Sequence, residues 1–409
     1  MRIEAVSGII EKNMPLMYLM KCAVLGVRPE TDALSGVDFD AVLQQSEFHG
    51  IAATVAAAVC SLEAVTGLID AEQQSRWSLV SNNAMRRYIL TVNEIERVCA
   101  EFDRRGLRYV RLKGSKLAGM YPRPEMRGMS DVDLLIDRDK RETAKEAMEH
   151  LGYEVEHFGN SHHDVFVRAP IYNFEIHNML FWTKYEKLHS YFEDVQNRLI
   201  PSAGGSCECF LSDADFYLFL LAHACKHLHN AGTGLRMLAD LYIVLQKIHP
   251  DAAEIESGLS EMGIEKDERI LRSLARKLFE SPGSPVLSAL SEEEENVLAF
   301  ILRSGINGTY EQEFRNKMFG DIAEGEHDIS VNRRRYLKSR VFPKPEEYRE
   351  KHPFFYRHRL ARPALPLVRL GKYAFKNGRK LKSELSFLRK MREREKEQKK
   401  ENNTSSGNQ

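Results

Sequence analysis

The sequence predicts an α+β protein in which a small β-sheet is flanked by N-terminal and C-terminal helical regions. Three observations carry this. Apolar residues recur at helical spacing as far as Arg105. Between Leu107 and Leu180 the pattern changes to short alternating runs punctuated by Gly, Pro and Asp. After Trp182 the helical spacing returns. A chain of 409 residues has room for two or three domains and a sizeable core. We divide it into a helical region at 1–75, a sheet-bearing core at 76–200, a helical domain at 205–320 and a charged extension at 321–409. Formal net charge is zero, with 59 basic and 59 acidic residues, which argues against a nucleic-acid partner.

In the first region Ile9 to Val24 carries apolar residues at helical spacing. Phe39 to Leu62 contains the small-residue run Ile51-Ala-Ala-Thr-Val-Ala-Ala-Ala-Val59, which permits close helix packing. No candidate catalytic pair stands out here, so the region reads as a helical lid or support. Ala71 to Arg105 reads as one long helix with a stripe of Trp77, Val80, Ala84, Tyr88, Leu90, Ile95, Val98 and Phe102, stopped at Gly106.

Leu107 to Leu112 alternates as a strand. Lys113-Gly114-Ser115 then turns into a short helix over Lys116 to Tyr121. A glycine at such a turn lets backbone approach a phosphate, and amides at the following helix N-terminus suit an anion. Tyr121-Pro-Arg-Pro124 is a rigid connection. Arg127 can pair with triphosphate oxygens through its planar fork, or serve a structural salt bridge. Ser130-Asp-Val-Asp-Leu-Leu-Ile136 reads as a strand, which puts Asp131 and Asp133 on one face and Val132 and Leu134 on the other. Two carboxylates on one face repel and call for a cation. Oxygen ligands at this spacing suit Mg²⁺, which takes one or two carboxylates plus substrate phosphates. The plainer reading is an edge strand with two solvated aspartates.

Asp137 is placed to cap a helix over Lys140 to Leu151, ended by Gly152. Tyr153 to His157 and His163 to Arg168 alternate as strands, and Pro170 breaks the second. Tyr172 to Leu180 is a further strand, with Phe174 and Ile176 on one face and Asn173, Glu175 and His177 on the other.

These residues carry a resemblance. Gly114-Ser115, a fifteen-residue spacer and Asp131-Val132-Asp133-Leu134 resemble the signature of the DNA polymerase beta-type nucleotidyltransferase superfamily. The longer string, Lys113-Gly114 through Tyr121-Pro122 and Arg127 to Ser130-Asp131-Val132-Asp133-Leu134-Leu135, is similar to an uncharacterised bacterial branch of it. The spacer is slightly longer than the usual superfamily pattern. The resemblance covers roughly residues 80–245. It implies a small mixed β-sheet as the nucleotidyltransferase core, with Mg²⁺ held by Asp131, Asp133 and a third carboxylate from a later strand. Glu175 matches that third position by order and strand context, as a Glu where an Asp is usual, and His177 matches a His of the branch. It further implies that Lys113, Gly114, Ser115, Arg127 and Ser130 meet a nucleoside triphosphate, with ATP the default donor. The acceptor is left open between a hydroxyl of a small molecule such as a sugar or an antibiotic, a protein hydroxyl and an RNA end.

Lys184 to Leu199 reads as one helix and Pro201 to Ser206 as a boundary loop. Ser212-Asp-Ala-Asp215 resembles a capping box at the head of an apolar helix, Phe216 to Leu228. His223 and His227 share a face of it, as half a zinc site, core histidines or polar groups lining a cleft. Leu235 to Ile248 is a further helix with Arg236 and Asp240 on one face. The pattern His227, Arg236, Asp240 resembles the helical region of the branch, in nucleotide or acceptor contact or as a packing ion pair. Helices continue over 251–320, and Asp328 to Lys351 reads as charged and irregular.

His352 to Pro363 is rich in aromatics and Arg. The basic helix Arg379 to Lys400 offers peripheral contact with an anionic membrane, but Glu384, Glu393, Glu395 and Glu397 interrupt it and favour a solvated helix. Glu401 to Gln409 reads as disordered. The six cysteines show no metal spacing and read as free thiols of a reducing cytoplasm. The start shows no signal-peptide pattern, and no apolar run reaches the ~20 residues of a membrane span.

Three rival classes stand beside the nucleotidyltransferase reading, one of them a nucleic-acid enzyme, which would need a basic groove that neutral net charge does not support. A nucleotide-binding protein on a degenerate copy of the fold would lack a carboxylate, and all three candidates are present. A metal-dependent phosphohydrolase would add histidine ligands, for which His162 and His163 are the candidates.

Overall fold

A computed structural model describes residues 2–62, 67–159, 161–280, 290–320, 329–341, 353–365, 368 and 378–406. The alternating runs form one sheet of β1 (Tyr109–Arg111), β2 (Val132–Ile136), β3 (Glu154–His157), β4 (His163–Arg168) and β5 (Tyr172–His177), in the order β1-β2-β5-β4-β3. Only the β2–β5 pair is parallel, so the sheet is mixed and the fold is α+β. The register sets Asp133 opposite Glu175 and Leu135 opposite His177. On the other side of β5, His163 lies opposite His177.

Period-two alternation gives the sheet two unlike faces. Val132, Leu134, Ile136, Phe174 and Ile176 enter a core with Ile95, Val98, Cys99 and Phe102 of the Ala71–Arg104 helix and Ala144, Ala147 and Met148 of the Arg141–His150 helix. With that face closed by apolar packing, the polar residues of β2 and β5 are left to the opposite one. Asp164 sits 2% exposed beneath the Arg141 guanidinium, which donates to both of its oxygens.

The long helix opens on a capping box, Asp70 with Gln73, and is followed by Gly106 at φ +64°. Its apolar stripe is buried only near the ends, at Trp77 and from Ile95 on. Leu90, expected in the stripe, is 47% exposed, as are Leu79, Met85 and Ile89 at 58%, 37% and 50%. Periodicity identified the helix but not how far its neighbours reach along it.

Met14–Leu25 is buried from Leu16 to Val24, and Ala52–Val59 packs against it and the long helix. Thr54 Oγ1 donates to the Met126 carbonyl at 2.8 Å, tying this helix to the loop before β2. The N-terminal region thus supports the loop that leads into the site.

The chain forms two compact units, Met1–Lys226 with Gly234–Leu290, and His227–Thr233 with Ser291–Gln409. The second is helical. Phe314, Met318, Ile329, Tyr336, Phe387 and Met391 form a core within it. Its buried Glu384 accepts from Tyr336 Oη at 2.5 Å, and Glu395 accepts from Arg333 at 2.7 and 3.0 Å.

Several local expectations give way to packing. Ile329–Val341 is helical rather than irregular, and residues 342–352 lie outside the described set. The basic C-terminal helix runs over Gly378–Ser406, so residues 401–406, expected to be disordered, are helical. One side of it is covered by protein at Phe387 and Met391. Lys184 to Leu199 divides into Glu186–Phe192 and the short 3₁₀ turn Val195–Asn197. Asp137 makes no side-chain cap; its carboxylate is taken by the Arg108 guanidinium at 2.5 and 3.1 Å. Among the described residues no helix is long and apolar enough to cross a membrane, and all six cysteines are free.

Candidate active site

The polar face of the sheet gathers charge at one point. Asp133 is 4% exposed at the middle of β2. Its Oδ2 lies 3.3 Å from Lys113 Nζ and its Oδ1 2.9 Å from His177 Nε2. Burial by itself would raise the Asp133 carboxyl, but the Lys113 charge and the His177 hydrogen bond outweigh it and hold the group well below the usual carboxylate range. Burial pulls His177 down, and the Asp133 hydrogen bond with the neighbouring Glu175 carboxylate more than restores it, so its affinity for a proton ends above the ordinary value. Glu175 Oε2 lies 3.7 Å from His177 Nε2 and 3.9 Å from His163 Nε2. Burial opposes its ionisation, His177 favours it, and the net displacement is downward.

Lys113 opens the helix Lys113–Ala118, so Gly114 and Ser115 occupy its first turn instead of a turn ahead of it. A Cβ on Gly114 would meet Met129 Cγ at 3.2 Å, so a larger residue there would have to displace the Met129 side chain. Ser115 Oγ donates to the Leu112 carbonyl at 3.3 Å.

Asp131 stands apart from Asp133. The strand begins at Val132, so Asp131 lies on the approach to it and accepts from Ser130 Oγ at 2.7 Å. Among the described residues two sets of potential metal ligands have their donor atoms all within 4.8 Å of one another. They are Asp133 with Glu175 and His177, and His162 with His163 and His177. Asp131 belongs to neither. Nor do His223 and His227; His223 Nε2 contacts Lys113 Nζ at 3.2 Å, and His227 falls in the second unit.

Arg127 is engaged within the protein. Its Nε and Nη2 each donate to Asp240 at 3.0 Å, its Nη1 donates to the Gly128 carbonyl at 3.0 Å, and Tyr121 Oη donates to Asp240 at 2.7 Å. The fork expected to meet a triphosphate is occupied by a carboxylate 113 residues further along the chain. Asp240 is a packing partner, and it anchors the Tyr121–Arg127 segment to the Arg236–Lys247 helix. Arg236 differs from Arg127. Among the described residues it has no ion pair, and its Nη1 donates to the Gly128 carbonyl at 3.1 Å. Burial, with Arg127 as a like neighbour, pushes it down to about 10.

Lys226 escapes the sequence reading. It lies three residues after His223 on the Asp213–Leu228 helix, and among the described residues no hydrogen bond or ion pair holds it. Burial and the charge of Lys113 lower it to about 8, although Asp133 and Glu175 pull the other way. The signal was present: a lone lysine within an apolar helix, one turn from a histidine. A half-buried amine that feels the Asp133 and Glu175 charges but pairs directly with neither is placed to meet an anionic ligand at this cluster.

A family model described as an uncharacterised nucleotidyltransferase matches residues 35–280, more than half of the chain. No curated protein and no solved structure matches.

Proposed function

From its membership of this nucleotidyltransferase family, to which the chain belongs, we propose a Mg²⁺-dependent transfer of a nucleoside monophosphate from a nucleoside triphosphate, ATP by default, to a hydroxyl of a small molecule or protein. The observation that carries the reading is the pairing of Asp133 and Glu175 across adjacent parallel strands, with cationic side chains around them. Their oxygens and His177 fall within 4.8 Å, a span that one cation can close, and two carboxylates with substrate phosphates make the ligand number Mg²⁺ accepts. Asp133 and Glu175 would hold the ion, with Asp131 the further carboxylate on the approach to the strand. When bound, it supplies charge neutralisation at the transferring phosphoryl group.

The chain's own groups do the remainder. Lys113 and Lys226 offer positive charge to the β- and γ-phosphates, next to the Gly114–Ser115 backbone, and stabilise the charge that grows on departing pyrophosphate. Arg236, with spare donors, takes the phosphate role expected of Arg127, while Arg127 and Asp240 position the loop. The acceptor oxygen attacks the α-phosphorus and the bond to the β-phosphate bridge breaks. The hydroxyl proton passes to Glu175 Oε2, whose carboxyl the nearby His177 shifts downward against the opposing effect of burial.

The phosphohydrolase alternative gains from the placement of His162 and His163 beside the same carboxylates. One experiment separates the two. Protein is incubated with Mg²⁺, α-labelled ATP and a metabolite extract, and products are resolved. We expect labelled adduct and pyrophosphate from the wild type and a loss of about 10²–10⁴-fold in Glu175→Gln, the range of a general base. Inorganic phosphate without adduct would favour hydrolysis, and full activity in Glu175→Gln would remove the role of this carboxylate.

A further inference from the structure

We propose that His162, His163 and His177 form a second metal site, selective for a borderline transition ion of the zinc and cobalt kind and filled without nucleotide. The three rings converge: their centroids lie 4.5 Å apart for His162–His163, 5.5 Å for His162–His177 and 5.1 Å for His163–His177. One donor atom from each lies within 4.8 Å of the other two. Ligands at about 2.0–2.1 Å from a common tetrahedral ion stand a little over 3 Å apart, so modest side-chain adjustment closes the set.

The hydrogen bonding of His177 gives the second observation. Its Nε2 is committed to Asp133 Oδ1 at 2.9 Å, while its Nδ1 is buried with no partner. An Nε2–H donated to the carboxylate leaves Nδ1 as a bare lone pair. A carboxylate that fixes the tautomer of one ring nitrogen while the other is left to a metal is the usual arrangement around a ligating histidine. A buried acceptor without a donor costs free energy, and a cation relieves it. His162 differs in having a contact at each nitrogen: its Nδ1 meets Ser161 Oγ at 3.0 Å, and its Nε2 meets His163 Nδ1 at 3.3 Å, a ring-to-ring contact that a shared ion would replace. Glu175, 3.9 Å from His163 Nε2, is within reach as a fourth, oxygen ligand.

Three imidazoles and a carboxylate suit zinc or cobalt, whereas Mg²⁺ prefers oxygen alone. The site therefore differs in selectivity from the carboxylate pair that takes the nucleotide's ion, although the two share His177 and Glu175. The proposal does not depend on nucleotidyl transfer.

The test uses the full chain, stripped with a chelator, and Co²⁺ alone as the probe. The expected result is one equivalent of Co²⁺ giving the intense visible bands of low-coordinate cobalt, retained in excess Mg²⁺ and abolished by Zn²⁺. His162→Gln and His163→Gln should each weaken Co²⁺ binding at least tenfold while the circular dichroism spectrum is unchanged. Both positions are half-buried, so if one variant fails to fold the other still decides. Absence of these bands in the wild type, equal affinity in a folded variant, or displacement by equimolar Mg²⁺ would overturn the proposal. Failure of transfer with Co²⁺ binding intact would count against the transferase reading alone.

Discussion

Two buried charge clusters in the first unit are built from similar residues and differ in how completely they are satisfied. Around Asp240 every contact is short. Arg127 donates twice and Tyr121 once, at 2.7–3.0 Å, and the third Arg127 donor has a carbonyl. Asp133 is met at 2.9 and 3.3 Å, and Glu175 beside it only at 3.7 and 3.9 Å. One His177 nitrogen is buried without a partner, and the half-buried Lys226 makes no hydrogen bond or ion pair among the described residues. A closed network stabilises and specifies a conformation, while an open one is costly unless something completes it. The comparison separates a structural charge cluster from a candidate site without appeal to motif.

The sharpest way to break this comparison is to open the closed cluster. Asp240→Asn leaves the Arg127 guanidinium buried without a counter-ion. Loss of one partner of such a pair costs about 3–5 kcal/mol. Urea unfolding should show that loss, with triphosphate affinity retained in whatever fraction stays folded. A loss under 1 kcal/mol would mean that the cluster is not closed in the sense used here.

A smaller effect is expected at Lys226. Lys226→Met keeps the bulk of the stem and removes a half-buried amine that makes no direct ion pair. Triphosphate affinity should fall roughly tenfold, about the worth of one hydrogen bond to a charged group. Stability at neutral pH should rise, because no counter-ion is lost. A fall in stability would show that Lys226 holds the fold and is not waiting for a ligand.

The smallest effect is in the pH dependence. The Lys226 amine sheds its proton near pH 8 in the folded chain, against 10.5 ordinarily. Between these values the unfolded chain binds more protons, so this group makes stability rise with pH across the window. Triphosphate affinity should decline over the same rise, as the charge is lost. Both trends should be absent from Lys226→Met relative to the wild type, by thermal shift and by titration calorimetry.

Sequence reasoning reached the elements and one face of the sheet, because period-two alternation in Tyr172–His177 states which residues share a side. It could not say that β5 lies beside β2 in parallel, and that pairing sets Glu175 opposite Asp133. A start one residue later than Asp131 takes that aspartate off the strand, and with it the alternation argument. The Arg127–Asp240 pair spans 113 residues of chain and leaves no local trace. The middle of the Ala71–Arg104 helix looks like core in its periodicity because exposure depends on neighbours supplied from elsewhere.

The central claim is that Asp133 belongs to an anion- and cation-binding centre rather than to a packing network. Isothermal titration of the full chain with a non-hydrolysable ATP analogue, with and without Mg²⁺, tests it most directly. Wild type should bind in a Mg²⁺-dependent manner. Asp133→Asn should fold, by circular dichroism, and bind at least ~tenfold more weakly, in line with the loss of a charge-bearing ligand. Affinity that ignores Mg²⁺, or that is unchanged in a folded Asp133→Asn, would contradict the account.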